Sequence, residues 1–159
     1  MEFRPMQRKK QAISETECIE LLKNEPRGVL SVIGENGYPY GMPINHWYNE
    51  NDGKIFFHGG KSGHKIDAIK KCNKASFCVY DKGYRREGDW ALFIKCVIVF
   101  GQIVWVEDYE SIVDICRNLS LKFTNDVVYI EEEIQKFAKA TLCFALVPDQ
   151  ITRKLVNES

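Results

Sequence analysis

Residues 29–58, VLSVIGENGYPYGMPINHWYNENDGKIFFH, decide the fold. Val29–Ile33 reads as a largely buried strand. Glu35-Asn36-Gly37 supplies the positive backbone angles of a tight hairpin, and Tyr38–Asn49 returns as a second strand. Asn51-Asp52-Gly53 is another hairpin turn, so Lys54–His58 forms the third strand. Three antiparallel strands joined by two Asx-Gly turns make a meander.

Upstream, Ser14 and Glu17 stand three apart, the reciprocal arrangement that satisfies free amides at a helix start, and a short helix runs to about Glu25. Downstream, a helix spans about Ser62 to Cys72, a strand Ala75–Tyr80, and a polar loop Asp81–Trp90. Leu92–Val106 reads as one long strand with Gly101 at a bend or bulge. Helical spacing returns at Ile112, Ile115, Cys116, Leu119 and Phe123 behind the cap Asp108, a shorter helix covers about Ile130–Ala138, and Thr141–Val147 is a final strand. Six strands, mostly hairpin-connected, predict a mainly β chain with peripheral α: a small antiparallel barrel, and not a doubly wound sheet. Neither G-x-G-x-x-G nor G-x-x-x-x-G-K-[ST] occurs.

At 159 residues, 45% hydrophobic and 28% charged, the chain suits one soluble domain, 1–159, with its core at about 13–147. Lys plus Arg and Asp plus Glu both total 22, so no overall field draws it to nucleic acid or an acidic membrane. The short basic run Arg4–Lys10 reads as solvation of a terminus. Six cysteines, never as C-x-x-C and several inside apolar stretches, look like small buried hydrophobes in a reducing compartment. With no signal-peptide core and no membrane-length apolar run, the expectation is a cytoplasmic protein.

One joint asks for an explanation. In Phe57–Ile69, FHGGKSGHKIDAI, a strand stops at two glycines and Ser62 opens a helix. With Ser62 as cap, the amides of Gly63, His64 and Lys65 lie in the first turn, at the positive end of the helix dipole. Cations there are unfavourable by some tenths of a kcal/mol each, and a phosphate is the natural compensation. An ordinary solvated helix start is the competing reading. In Tyr38–Trp47 two prolines remove ladder donors, so this strand is an edge or is locally broken. Its free backbone groups suit either water or a flat heteroaromatic ring. His46, His58 and His64 show no metal-ligand spacing, and Cys96 beside Lys95 reads as a core residue.

The ordered blocks Gly28–Ile33, Gly37–Asn45, Ile55–Gly59, Gly63–Lys65 and Val97–Gln102 resemble the pyridoxamine 5′-phosphate oxidase-like flavin-binding split barrels, and among them the nitroimidazole-resistance subgroup, over about Ile13 to Val147. The resemblance implies a six-stranded split barrel, a homodimer, and FMN in two symmetric clefts between subunits. It implies that Gly63, His64 and Lys65, with Lys61 and Ser62 beside them, hold the flavin phosphate. Met42, Pro43, Ile44, Asn45 and His46 then lie along the isoalloxazine ring, and Phe57, His58, Gly59 and Gly60 lie beneath it, with His58 as an active-site residue. The implied activity passes hydride from NADH or NADPH to the flavin and on to a small electrophile such as a nitroaromatic. A flavin- or haem-binding module without turnover, and a deazaflavin-dependent reductase, are the alternatives. The tail Thr152–Ser159 lacks the Arg- and Trp-containing segment with which pyridoxamine phosphate oxidases hold their substrate, so oxidation of that vitamer does not carry over. Cys96 stands where many relatives have Ser, and the 81–90 loop falls where they vary.

Overall fold

Ser14 begins the first helix as its spacing predicts. In the structure, a computed structural model describing residues 2–157, its hydroxyl accepts from the Glu17 amide while the Glu17 carboxylate accepts from the Ser14 amide. Helix α1 (Glu15–Asn24) buries Cys18, Leu21 and Leu22. Strand β1 (Arg27–Ile33) follows, with Gly28, Leu30 and Val32 on its inner face, and a turn with Gly37 at φ +81° leads to β2 (Pro39–Asn45).

The run expected as one second strand is two. It breaks at His46, and β3 (Trp47–Asn49) pairs with β4 (Lys54–Gly59) instead of continuing beside β1. The meander is therefore corrected to two hairpins at opposite ends of one sheet, in the order β2-β1-β5-β7-β8-β4-β3. The break has a physical cause. The His46 ring is fully buried, its Nε2–H donates to the Leu22 carbonyl at 2.8 Å, and Lys122 Nζ donates to the carbonyls of Glu25 (2.8 Å) and His46 (2.9 Å). The backbone is thus pinned into a corner. Across the resulting gap β2 and β4 touch without a ladder between them, which makes the barrel split. As an edge strand, β2 tolerates Pro39 and Pro43, whose equal parity points both nitrogens to the open side.

Helix α2 (His64–Lys71) leads to β5 (Lys74–Tyr80), and the predicted 81–90 loop contains a short β6 (Tyr84–Arg85) paired with the next strand. Strand β7 (Leu92–Val106) runs antiparallel to β8 (Leu142–Asn157), with a register shift at Phe100/Gly101. A Cβ on Gly101 would overlap the Val147 carbonyl oxygen, so glycine is required at the expected bend. The last strand extends ten residues beyond the predicted Val147, because the tail pairs with the first half of β7. The sheet therefore has eight strands where six were expected. Glu158 and Ser159, the end of that tail, lie outside the described residues.

Between β7 and β8 stand α3 (Tyr109–Leu121), capped by Asp108, and α4 (Val127–Phe137), capped by Asp126. Strand alternation sorts the core into two layers. Ile55 and Phe57 of β4 and Phe144 and Leu146 of β8 fill the barrel together with Leu22, Ile66 and Ile69 from α1 and α2. Phe56 of β4 and Cys143 and Ala145 of β8 point outward and pack under α3 and α4. Each buried large side chain contributes about 1.5–3 kcal/mol by area. Cys18, Cys116 and Cys143 are buried, Cys72, Cys78 and Cys96 are half-buried, and all six are free. Among the described residues, no helix is long and apolar enough to cross a membrane.

Candidate functional site

The joint between β4 and α2 carries the residues singled out by charge. Ser62 does not cap the helix: the N-cap is Gly63, at φ +118°, a backbone conformation that side-chain-bearing residues rarely adopt. The Gly63 carbonyl accepts from Ile66 N (2.9 Å) and Asp67 N (3.1 Å), and the amides of His64 and Lys65 find no acceptor among the described residues.

The basic side chains here go different ways. Lys61 Nζ donates to the Lys139 carbonyl at 2.7 Å, so it is already engaged. His64 stacks on Tyr40 of β2, with centroids 4.3 Å apart and planes at 14°. Lys65 is half-buried, its Nζ 5.6 Å from the centre of the Phe144 ring, and a Cβ on Gly59 would stand 3.3 Å from that nitrogen. Burial pushes the Lys65 ammonium pKa down, and no carboxylate offsets it. This is an uncompensated cation beside free amides.

Strand alternation sends His58 the other way. Phe57 points into the barrel, while His58 is exposed on the face that carries α3 and α4. Two cavities of about 240 and 230 Å³ meet there, and His58, Ser120 and Tyr129 line both. The first lies between α3 and α4, against Cys116, Ile134, Phe137 and Thr141. The second opens toward β2 past Leu119, Phe123, Thr124 and Asn45, whose Oδ1 accepts from Arg27 Nε at 2.7 Å. Larger hollows of about 530 and 520 Å³, at the Gly101 bulge and beside Trp47 and Trp105, include none of the predicted site residues. Volume alone does not select them.

The fourteen predicted site residues thus divide. Lys65, His64, Gly63 and Gly59 converge at the start of α2, and Asn45 and His58 share the cleft under α3 and α4. Met42 and Ile44 pack against the barrel core, while Pro43, Gly60 and Ser62 are exposed. The side chains of His46 and Phe57 belong to the core, with 0% exposure each, so they cannot flank a surface ligand. Burial and then the charge of Lys122 lower the His46 pKa to about 4, and its Nδ1 has no partner.

Cys116, Tyr129 and Lys122 were not singled out from sequence. At helical spacing Cys116 reads as core, and the signal was an excess of apolar residues over one stripe: Val127, Val128, Tyr129 and Phe137 of α4 are all exposed. Contact with the Cys143 thiol, and then with His58, lowers the Cys116 pKa to about 5, while the same sulfur contact and burial raise that of Cys143.

A family model described as pyridoxamine 5′-phosphate oxidase matches residues 14–155. Among solved structures, one from Bacteroides thetaiotaomicron, provisionally described as a 5-nitroimidazole antibiotic resistance protein, superposes with a TM-score of 0.77 at 17% identity, over 92% of this chain and 87% of that one. A conserved hypothetical protein from Mycobacterium tuberculosis gives 0.79 at 18% identity, over 95% and 90%. The FAD and heme binding protein of Mycobacterium smegmatis gives 0.73 at 20% identity, over 95% and 75%. These identities speak for the fold. No curated protein sequence matches.

Proposed function

The chain belongs to the pyridoxamine 5′-phosphate oxidase family, and from that premise we propose that it is an FMN-dependent oxidoreductase working as a homodimer. The observation that carries the reading is Lys65, a half-buried ammonium without a carboxylate, next to two helix-start amides without acceptors. A phosphate dianion accepts from all three at once and suits the positive end of α2. The residues present therefore fit the phosphate of FMN, held by the His64 and Lys65 amides, the Lys65 ammonium and the His64 imidazole.

When bound, the flavin would supply the redox chemistry, hydride transfer between NADH or NADPH and a small electrophile such as a nitroaromatic. The chain's part is placement. Leu119, Phe123 and Tyr129 give the cleft apolar and aromatic walls, and Asn45 offers a carboxamide beside them. His58, exposed where the two cavities meet, gives a proton through a ring nitrogen to a reduced acceptor.

The outer face of the sheet supports the second copy. The register lines up Pro43, Val29, Cys78, Ile98 and Thr152 across five strands, an uncharged row, and the helices α3 and α4 cover the other end of the sheet. This row, bordered on the same face by Arg27 and Lys154, is the part of the sheet that suits a second copy.

The test is direct. Purified protein should carry flavin, identified as FMN, FAD or deazaflavin by chromatography of the released cofactor, and a reduced nicotinamide should bleach its absorbance without oxygen. Replacing His64 and Lys65 together by alanine should weaken FMN by about 1.5–3 kcal/mol per charge-assisted contact in equilibrium dialysis. Equal retention by variant and parent defeats the phosphate assignment. A second reading, a flavin- or haem-binding module without turnover, draws on the likeness to the mycobacterial FAD and heme binding protein. Colour that no nicotinamide bleaches would favour it.

A further inference from the structure

The flavin reading leaves two thiols unused. Cys116 of α3 packs with Cys143 of β8, and Cys143 sits directly opposite His58 in the β4–β8 ladder. Cys116 and His58 both line the cavity of about 240 Å³ between α3 and α4, whose remaining wall joins Ile130, Ile134 and Phe137 to the polar groups of Ser120, Glu133 and Thr141. A thiol used for packing alone needs neither an imidazole nor an opening. This one has both, and the imidazole and the second thiol both favour its ionised form.

We propose that Cys116 is a nucleophile that captures small, largely apolar carbon electrophiles of the α,β-unsaturated carbonyl or quinone class in this cavity, with His58 as its base. The Cys116 proton moves to a His58 ring nitrogen, and the sulfur pair forms a C–S bond to the β-carbon. The C=C pair shifts toward the carbonyl as an enolate, which recovers the proton from His58 at its α-carbon. The thioether retains every atom of both reactants, and no oxidant or reductant takes part. The cavity admits a ring-sized electrophile, whose carbon skeleton meets Ile130, Ile134 and Phe137. This proposal does not rest on flavin binding.

The probe is N-ethylmaleimide, at limiting concentration on the full-length protein as purified, with peptide mass spectrometry following each cysteine at pH 7.5 and pH 5.5. The ratio of the two rates at one site cancels its accessibility. An ordinary thiol, with pKa about 8.5, keeps about 1% of its rate at the lower pH. Cys116, its pKa pushed down by the neighbouring thiol and imidazole, keeps a share many times larger. The titratable groups facing it are His58 from β4, Cys143 from β8, and Tyr129 and Glu133 from α4, the last already paired with Lys136 at 3.2 Å. In His58→Asn the ratio should fall measurably toward the ordinary value, the Cys143 contact keeping part of the effect, with Cys116 still labelled in the folded protein. A Cys116 ratio near 1%, an unchanged ratio in His58→Asn, or labelling of Cys116 only after unfolding in urea would each overturn the proposal.

Discussion

Acid should weaken this fold through a single imidazole. His46 is fully buried, donates Nε2–H to the Leu22 carbonyl, and has no acceptor for a second proton at Nδ1, with the Lys122 ammonium bound to its own carbonyl. Its pKa falls from 6.5 to about 4. A base whose folded pKa is depressed takes up its proton first in the unfolded chain, so its contribution is intact above pH 6.5 and is lost as pH falls to about 4. Between pH 7.5 and 5 the loss amounts to about 2 kcal/mol, equivalent to about 4–8 °C in Tm for a chain of this size. The carboxylates act in a lower window: Glu17, at about 2 in the fold, loses its contribution only below its unfolded value of 4.5. Urea denaturation at half-unit pH steps, for the parent and for His46→Gln, isolates the effect, since a Gln amide can still donate to Leu22 and does not titrate. Relative to the variant, the parent should lose about 2 kcal/mol as pH falls from 7.5 to 5, so whatever advantage it holds at neutral pH shrinks. Parallel curves between pH 7.5 and 5 would refute the assignment of a neutral, core-locked His46.

Two local predictions follow from the same contacts. Ser14→Ala removes the side-chain cap of α1 and should lower stability by about 1 kcal/mol in denaturant titration, while the Glu17 pKa, read by NMR, rises only slightly, because the Ser14 backbone amide, its first cause, still donates to the carboxylate and only the hydroxyl contact is lost. Gly101→Ala drives a methyl into the Val147 carbonyl at the β7–β8 register shift, and should cost about 1–3 kcal/mol, measured as a lower urea midpoint at unchanged slope.

Where local chemistry determines structure, the sequence was enough to read it. The capping box at Ser14, the cap at Asp108, the Asn-Gly turn and the Gly101 bulge each depend on residues close in the chain or on one steric requirement, and each stands where spacing put it. What escaped depends on distant partners. The break at His46 is made by Leu22 and Lys122, 24 and 76 residues away, and neither is visible in an alternating strand pattern. The tail strand was missed because Thr152-Arg153-Lys154 carries no hydrophobic run, and its order comes from pairing with β7. At the site, charge could be read and direction could not. Four basic residues cluster within Phe57–Ile69, His58 among them, yet alternation in β4 and one carbonyl at Lys139 decide which of them are left without a partner at the start of α2.

Lys61 and Lys65 make that distinction quantitative. Both stand at the positive end of α2, where a cation is unfavourable by about 0.3–1 kcal/mol. Lys61 reaches a carbonyl oxygen and keeps its solvent; Lys65 is half-buried and has an aromatic face at 5.6 Å, worth about 0.5–1 kcal/mol. That ring offsets the dipole at best, and leaves the desolvation of Lys65 unmatched. An anion should therefore stabilise the protein through this residue. If inorganic phosphate binds with a Kd of about 1 mM, 10 mM phosphate adds about 1.4 kcal/mol, or about 3–6 °C in Tm, over chloride of equal ionic strength, and Lys65→Met should abolish the gain while Lys61→Met keeps it. Equal melting in the two salts would mean that the ring and the barrel mouth already satisfy Lys65. A gain that survives in Lys65→Met would place the anion elsewhere on the chain.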